Sequence, residues 1–306
     1  MRPALKFASL AVATLATLSP LHPSAFSLPS LAQTVPDGKA AQKALEDQVL
    51  QQCRQDFQKK QYEAAVKACK QALATFRQLK NPGGEANALN NLGDAYRSLS
   101  QHEKAIAYYK QARPLFQQAK YPVGEALVLM NLGNAYRSLS QYEKAITYYE
   151  QARPIFQQAK YHIIEADVLS RLGSAYTSLS QYEKAIAYYE QARPIFQQVK
   201  DHNGEATVLN NLGLAYRSLS QYEKAIAYHE QALLIFQQVK DHNREAKVLN
   251  NLGIAYRSLS QYEKAIAYHE QALLIFQQVK DRNDEANVLN NPVSYTHLTL
   301  PTNREV

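Results

Sequence analysis

The chain repeats itself every 40 residues. A Leu-Gly pair preceded by Asn or Arg recurs at this interval, at residues 91–93, 131–133, 171–173, 211–213 and 251–253. A weaker copy precedes them, because residues 61–66 align with residues 101–106 at the same offset. A fixed period of this length is typical of arrays in which each unit packs only on its neighbours. We therefore expect the 306 residues to form an array rather than one large globular core.

Each unit carries two apolar patterns with helical spacing. In the fifth unit, Ala206, Leu209 and Leu212 recur at three-residue steps, and a second set runs from Tyr222 to Leu233. This spacing places each set on one face of an α-helix. A two-helix hairpin of this size buries its apolar face only by stacking on other hairpins. The pattern therefore predicts an all-α fold, a right-handed α-solenoid of antiparallel helix hairpins.

Local patterns predict where the helices begin and where they are disturbed. Asn81, followed by proline, provides an N-cap for the first helix of its unit, and Asp201 stands in the matching place. Ser220 and Glu223 have the spacing of a capping box, in which the Ser hydroxyl caps the second helix. A proline inside a helix removes a hydrogen bond and costs about 3 kcal/mol, so we expect a kink or an early break at such positions. The interior prolines are Pro114, Pro154 and Pro194.

These residues resemble the tetratricopeptide repeat. The residues that match its pattern are Leu212, Gly213, Tyr216, Ala225 and Ala232. The aromatic place between the two alanines holds Tyr109, Tyr149 and Tyr189 in earlier units and His229 in this one. A unit of 40 residues is most similar to the long repeats of kinesin light chains and Leu-Gly-Asn-repeat adaptors. The resemblance implies a superhelix with a concave groove that grips extended peptides or helices.

The resemblance covers residues 46–291 and divides them into repeated units. The predicted units are 46–85, 86–125, 126–165, 166–205, 206–245 and 246–285, with the start of a seventh at 286–291.

Residues 1–32 contain the regions of a secretory signal in the correct order, with Arg2 and Lys6 before an apolar run and small residues near Ala32. An apolar N-terminus without a targeting role is the alternative. We expect a bacterial, exported protein, periplasmic or secreted, with a linker at 33–45 and no membrane span, because the apolar run is too short for one.

Residues 292–306 form a tail that lacks every feature of the repeat. Residues 293–301 resemble translated adaptor sequence, so we interpret this tail as an artefact, with a native strand or linker as the alternative. An artefact here would mean that the natural protein continues. The array would then be the N-terminal sensor or regulatory arm of a larger enzyme such as a caspase-like peptidase.

Polar residues occupy the side of each first helix opposite its packing face, which the resemblance places in the groove. Asn amides can pair with a peptide backbone, and Arg can pair with a carboxylate. The candidate groove residues are Asn90, Asn91, Asp94, Arg97, Asn131, Asn134, Arg137, Asn210, Asn211, Leu214, Arg217, Asn250, Asn251, Ile254 and Arg257. An ordinary solvated helix face is the alternative. The differences between otherwise similar units at position 94 and its copies favour binding, with an apolar anchor near Leu214 and Ile254 and an acidic flank on the ligand.

The predicted groove leads to a prediction of the protein's function. We expect a scaffold that binds a protein or peptide segment of acidic character, and a self-assembling structural repeat protein is a further alternative. The sequence has no metal-ligand spacing, phosphate-binding loop or nucleophile motif, so we predict no enzyme activity, cofactor or metal. Removing residues 1–32 takes away Arg2 and Lys6 and no acids, which lowers the net charge from +7 to +5. That mild, unclustered excess argues against nucleic-acid binding.

The chain has two cysteines, Cys53 and Cys69. They fall on the two helices of the first unit. An even count in an exported chain favours a disulfide that ties this end unit together. A reduced, buried pair is the alternative, because spacing alone does not fix the geometry of a bond.

Overall fold

The computed structural model describes the backbone of residues 38–289 and the side chains of residues 48–289. Thirteen α-helices and no strand occupy this part of the chain. The helices are α1 (Gly38–Gln58), α2 (Tyr62–Gln78), α3 (Pro82–Ser98), α4 (His102–Gln118), α5 (Pro122–Ser138), α6 (Tyr142–Gln158), α7 (His162–Ser178), α8 (Tyr182–Gln198), α9 (His202–Ser218), α10 (Tyr222–Gln238), α11 (His242–Ser258), α12 (Tyr262–Val279) and α13 (Arg282–Leu289). The predicted signal peptide 1–32 and the tail 292–306 lie outside the described residues.

Each helix packs on the next one along the chain, which makes a continuous stack of hairpins. First helices of neighbouring hairpins also contact each other directly, as α1 does with α3, α3 with α5, α7 with α9, and α9 with α11. Among the described helices, second helices of neighbouring hairpins do not pack on each other to this extent. The first helices therefore line the inner side of a curved array. The predicted all-α solenoid of helix hairpins is confirmed.

The hairpins begin earlier in sequence than the predicted units. First helices start at Pro82, Pro122 and His162, four residues before the unit boundaries at 86, 126 and 166. The apolar pattern starts only after the first helical turn, which explains the offset. Helix α1 begins at Gly38 and so takes in most of the predicted linker 33–45. The reason lies in its composition, because residues 39–45 are mainly Ala, Lys, Gln and Leu, which favour helix.

The predicted N-caps of the first helices are confirmed. The Asn81 side chain accepts a hydrogen bond from the backbone N–H of Gly84 at 2.9 Å. Asp201 makes the same contact with Gly204, also at 2.9 Å. Pro82 occupies the first helical position, where an N–H would have no partner inside the helix. These contacts satisfy backbone groups that the helix ends leave unpaired.

The capping box predicted at Ser220 is wrong. Ser220 has a φ of 58°, which is left-handed, and its own backbone N–H bonds the carbonyl of Arg217 at 2.9 Å. The N–H of Gln221 bonds the carbonyl of Tyr216 at 2.9 Å. These two bonds form a Schellman turn that ends α9, so Ser220 closes one helix instead of capping the next. Helix α10 begins without a side-chain cap.

The early helix break predicted at the interior prolines is also wrong. Helices α4, α6 and α8 contain Pro114, Pro154 and Pro194, yet each has 17 residues, as α10 does without a proline. All three prolines lie on the exposed side of their helix. The carbonyl that loses its partner therefore faces solvent, where water can replace the missing N–H.

Glycines permit close contact between the two helices of a hairpin. A methyl group added at Gly133 would overlap the ring of Tyr149, and one at Gly213 would overlap the ring of His229. Both rings are fully buried. The Leu-Gly pair of the repeat thus exists because the second helix inserts a ring against the backbone of the first.

The first hairpin is joined covalently. Cys53 on α1 and Cys69 on α2 form a disulfide whose Cα atoms lie 4.9 Å apart. Both residues are buried. The bond ties the two helices of a hairpin that packs on another hairpin on one side only within the described array.

Candidate functional site

One stripe of side chains runs along the inner side of each first helix. On α9 it consists of Asn203, Thr207, Asn210, Leu214 and Arg217, at alternating steps of four and three residues. This spacing keeps all five on one helix face. We call these positions and their copies, offset by multiples of 40 residues, the inner stripe. Because first helices line the inner side of the array, we place the inner stripe on that side.

Asparagine side chains connect neighbouring first helices. Asn131 on α5 donates its amide N–H to the side-chain oxygen of Asn90 on α3 at 3.1 Å. Asn251 on α11 donates in the same way to Asn210 on α9 at 3.0 Å. These amides, predicted to pair with a ligand backbone, already bind one another. Their main role is to fix adjacent hairpins, although each amide keeps further hydrogen-bonding capacity.

Helix α7 replaces this asparagine contact with an arginine. Arg171 donates to the Asp167 carboxylate at 2.8 Å on its own helix and to the Asn134 side chain at 2.8 Å on α5. Asn134 also accepts a hydrogen bond from the Tyr149 hydroxyl at 2.8 Å, and it is buried. Asn134 is therefore engaged within the protein and is not a free ligand contact.

At position 94 and its copies, the inner-stripe residue lies against the buried ring of the second helix. Tyr109 donates its hydroxyl to Asp94 at 2.7 Å. Burial raises the pKa of Asp94, and the Tyr109 hydrogen bond opposes that rise. Leu214 stands at the same position on α9, where the ring is His229 and offers no hydroxyl. The variation predicted to mark ligand specificity thus follows the chemistry of the ring behind it.

His229 and His269 are buried, and no hydrogen-bond partner is described for any of their ring nitrogens. Burial, with a smaller contribution from Arg217, lowers the pKa of His229 to about 3. Burial and Arg257 lower the pKa of His269 to about 4. Both imidazoles are therefore neutral at pH 7, and they act as core rings.

The arginines of the inner stripe differ in their partners. Arg97 lies 3.9 Å from the Asp94 carboxylate. Within the described residues, Arg137, Arg217 and Arg257 have no carboxylate within ion-pair distance. Arg217 is half-buried, and burial together with the charge of Arg257 lowers its pKa. Arg217 and Arg257 therefore lie close enough for their charges to interact, and neither has a described carboxylate within ion-pair distance.

The predicted groove residues therefore separate into three groups. Those bonded or ion-paired within the protein are Asn90, Asp94, Arg97, Asn131, Asn134, Asn210 and Asn251. Asn91 has a buried amide nitrogen without a described partner, while Asn211, Leu214 and Ile254 are half-buried. Asn250 has an interaction within the protein. The arginines lacking a described carboxylate are Arg137, Arg217 and Arg257, and they are the part of the predicted site best placed to meet a charged ligand.

The structure also shows a cavity that the sequence interpretation missed. It has a volume of about 440 Å³ and lies beside Met130 on α5, Ile163 and Ile164 on α7, and the start of α9. Ile163 belongs to the inner stripe and is 54% exposed. The sequence does contain one signal for this cavity. The position that holds Ile163 is filled by Asn203 and Asn243 in later units. We predicted the apolar floor at Leu214 and Ile254 instead.

Other kinds of site find no support in the part of the chain that the structure describes. No group of three or more His, Cys, Asp or Glu side chains there is placed to hold a metal ion. No described helix has the length and apolar character needed to cross a membrane.

The stacked hairpins and their continuous inner side define a helical-repeat solenoid. A family model described as tetratricopeptide repeat matches residues 51–118, 124–198, 204–278 and 246–291. The chain therefore belongs to the tetratricopeptide repeat family. No curated protein matches it.

Solved structures share this fold at low sequence identity. BtubC (BKLC) from P. vanneervenii is 24% identical, with a TM-score of 0.64 over 72% of this chain and 92% of that one. A repeat protein of the kinesin light chain type from Podosopora anserina is 19% identical, with a TM-score of 0.56 over 65% of this chain and 98% of that one. A Rap protein complexed with Competence and Sporulation Factor is 17% identical, with a TM-score of 0.55 over 81% of this chain and 72% of that one.

Proposed function

We propose that the protein is an interaction scaffold whose inner face binds an extended, acidic segment of a partner. Arg217 and Arg257 carry this proposal, because they are adjacent, half-buried and without a described carboxylate. Like charges held together in a partly desolvated place repel, and an anion between them removes that repulsion. A ligand carboxylate also matches the forked geometry of a guanidinium group.

The fold supports the same proposal. First helices present side chains along one continuous inner side, which suits an elongated ligand more than a compact one. The Rap protein complexed with Competence and Sporulation Factor shows that a solenoid of similar fold forms a complex with a partner factor. Identity at that level supports the fold only, so the ligand class rests on the arginines of this chain.

Random peptides displayed on phage and selected on the full chain provide the test. We expect selected peptides to be enriched in Asp and Glu, and a synthetic copy of one to bind more weakly as salt rises. Arg217→Ala combined with Arg257→Ala should weaken that peptide by about tenfold or more, because removing charge-assisted hydrogen bonds costs about 1.5–3 kcal/mol each.

A matched control removes two positive charges elsewhere. Lys59→Ala with Lys67→Ala has the same charge change but alters exposed side chains near α1 and on α2. Its affinity for the peptide should stay within about twofold of the wild-type value. Equal weakening by both double variants would mean that net charge, not this pair of arginines, attracts the ligand, and the proposal would be wrong.

We also infer that the protein works in an oxidising compartment. The Cys53–Cys69 bond supports this inference, as does the signal-like order of residues 1–32. Mass spectrometry of the natural protein without reductant provides the test. A mass that shows two free thiols would contradict it.

A further inference from the structure

The cavity beside Ile163 has the character of a side-chain anchor pocket. Its apolar lining consists of Met130, Ile163, Ile164 and Phe196, and polar side chains form most of the remaining lining, which we call the polar rim. A volume of about 440 Å³ falls within the range of about 300–1,000 Å³ that is typical of ligand pockets. Pockets of this kind, apolar within a polar rim, are where binding energy concentrates at protein interfaces.

The polar rim is already occupied by contacts within the protein. Asp167 pairs with Arg171 at 2.8 Å, and the Thr207 hydroxyl donates to the carbonyl of Asn203 at 2.7 Å. Arg244 donates to the side-chain oxygen of Asn203 at 3.4 Å and lies 3.4 Å from the Asp241 carboxylate. A polar ligand group would compete with these contacts, whereas an apolar side chain would leave them in place.

The pocket is specific to one place in the array. The stripe position filled by Ile163 is Asn203 and Asn243 in the next two units, and the position of Met130 is Asn90, Asn210 and Asn250 in three others. Apolar residues at both positions therefore coincide only at the junction of α5 and α7 within the described first helices from α3 to α11. The repeat supplies its own natural substitutions for removing the pocket.

The distance from this pocket to the arginine pair follows from helix geometry. Arg217 is 14 residues beyond the α9 copy of Ile163, and 14 residues of helix rise by about 21 Å. Moving from α7 to the next first helix adds a lateral step of about 8–10 Å. The separation is therefore about 23 Å, which an extended peptide spans with about seven residues.

We propose that the ligand carries a large aliphatic side chain, bound in the Met130–Ile163 pocket, about seven residues from the acidic group bound by Arg217 and Arg257. The inference deepens the proposed function and rests on it. The array thus recognises two chemical features and the distance between them. A partner with only one of the two binds through half of the site.

A fluorescein-labelled peptide series on a Gly-Ser backbone tests this arrangement. Each peptide has one Leu and one Glu-Glu pair, separated by spacers of about three to about eleven residues, and matched peptides replace Leu with Ser or Glu-Glu with Gln-Gln. By fluorescence anisotropy with the full chain, the advantage of Leu over Ser should be absent at spacers too short to span about 23 Å when fully extended, and it should appear at about seven residues. At that spacing, Leu should bind about tenfold tighter than Ser.

Two variants separate the pocket from the arginines. Met130→Asn with Ile163→Asn should abolish the difference between Leu and Ser but keep the difference between Glu-Glu and Gln-Gln. Arg217→Ala with Arg257→Ala should have the opposite effect. Because Ile163 is exposed, Ile163→Asn alone provides a second variant if the double one unfolds, and circular dichroism checks the fold. Leu234→Gln alters an exposed Leu on α10 and should change neither preference.

The outcomes distinguish the two proposals. If no peptide binds, or if Gln-Gln binds as well as Glu-Glu, the proposed function fails and the inference fails with it. If Glu-Glu matters but Leu equals Ser at every spacing, only the inference is overturned. If sedimentation velocity shows self-association that Ile163→Asn abolishes, a second copy of the chain occupies the pocket, and the inference is again overturned.

Discussion

The hairpins α3/α4 and α5/α6 differ from the hairpins α9/α10 and α11/α12 in one buried contact. In the first pair, which we call the tyrosine hairpins, Tyr109 and Tyr149 donate their hydroxyls to Asp94 and Asn134. In the second pair, the histidine hairpins, the ring lies against the same glycine but has no described hydrogen-bond partner. The helices of both pairs begin at equivalent residues, and only α12 ends one residue later, so nearly equivalent hairpins bury polar groups at different cost.

This difference shows that two positions 15 residues apart change together. A tyrosine ring requires a polar partner for its hydroxyl, and the inner stripe supplies Asp94 or Asn134. A histidine ring leaves no hydroxyl to satisfy, and Leu214 or Ile254 fills the space. Variation at position 94 and its copies therefore follows the ring behind the inner stripe. Under the proposed function, the positions that inform on a ligand are those that do not contact the ring, such as that of Ile163.

The largest expected effect comes from deleting the ring. Tyr149→Ala should destabilise its hairpin by about 3–5 kcal/mol, because it leaves a large cavity and removes one of the two donors that bond buried Asn134. His229→Ala should cost less, because it also removes two buried nitrogens that have no described partner. Hydrogen exchange measured hairpin by hairpin gives both values. Equal losses would show that the hydroxyl contact does not distinguish the two kinds of hairpin.

Acid should destabilise the histidine hairpins selectively. The pKa of His229 is about 3 in the folded protein and about 6.5 in the unfolded chain. Between these values the unfolded chain binds the additional proton, so stability falls as the pH drops below about 6.5. At pH 5 the loss is about 2 kcal/mol for His229, and the lowered pKa of His269 acts in the same direction.

The tyrosine hairpin α3/α4 should respond with the opposite sign. Asp94 has a raised pKa, so the folded protein binds its proton first and gains stability as the pH falls towards that pKa. Hydrogen exchange over a series of pH values from 7 downwards, corrected for intrinsic exchange rates, measures both hairpins in one experiment. His229→Gln should reduce the acid sensitivity of its own hairpin. Uniform loss along the array would rule out the histidines as its source.

Converting one kind of hairpin into the other tests the paired positions directly. His229→Tyr alone should cost about 1–3 kcal/mol, because its hydroxyl would be buried beside Leu214 without a partner. Adding Leu214→Asn should recover most of that loss by recreating the contact between Tyr149 and Asn134. A double-mutant cycle gives the coupling energy. Additive effects would mean that the two positions vary independently.

Much of the fold could be predicted from the sequence, because helical spacing and an exact period are properties of the chain itself. The hairpins and the caps at Asn81 and Asp201 follow from such local patterns. The role of Ser220 does not follow from such a pattern, because a Ser followed three residues later by Glu fits both a capping box and the end of the preceding helix. Only the hydrogen bonds of the folded turn distinguish the two.

The candidate site could be predicted only in part. Sequence periodicity places Arg217 and Arg257 at the same position of two successive first helices, α9 and α11, but it does not show that their neighbours lack a carboxylate. The engagement of Asn131 with Asn90 depends on the packing of separate hairpins, which no single helix encodes. The pocket at Ile163 likewise forms from residues of five helices, α5, α7, α8, α9 and α11. The Ile at position 163 departs from the repeat and marks this place in the sequence. The cavity itself forms only when the hairpins stack.

The smallest expected effect concerns a feature that both kinds of hairpin share. Ser140 and Ser220 have φ values of 56° and 58°, a left-handed conformation that a side chain disfavours and glycine adopts freely. Ser140→Gly and Ser220→Gly should each stabilise the protein by about 0.5–1 kcal/mol, after allowing for the greater freedom of glycine in the unfolded chain. Thermal denaturation, with exposed Ala227→Gly inside α10 as a destabilising control, measures both. Because the turn has the same bonds in both hairpins, a gain at only one serine would show that the histidine and tyrosine hairpins differ in backbone as well as in their buried rings.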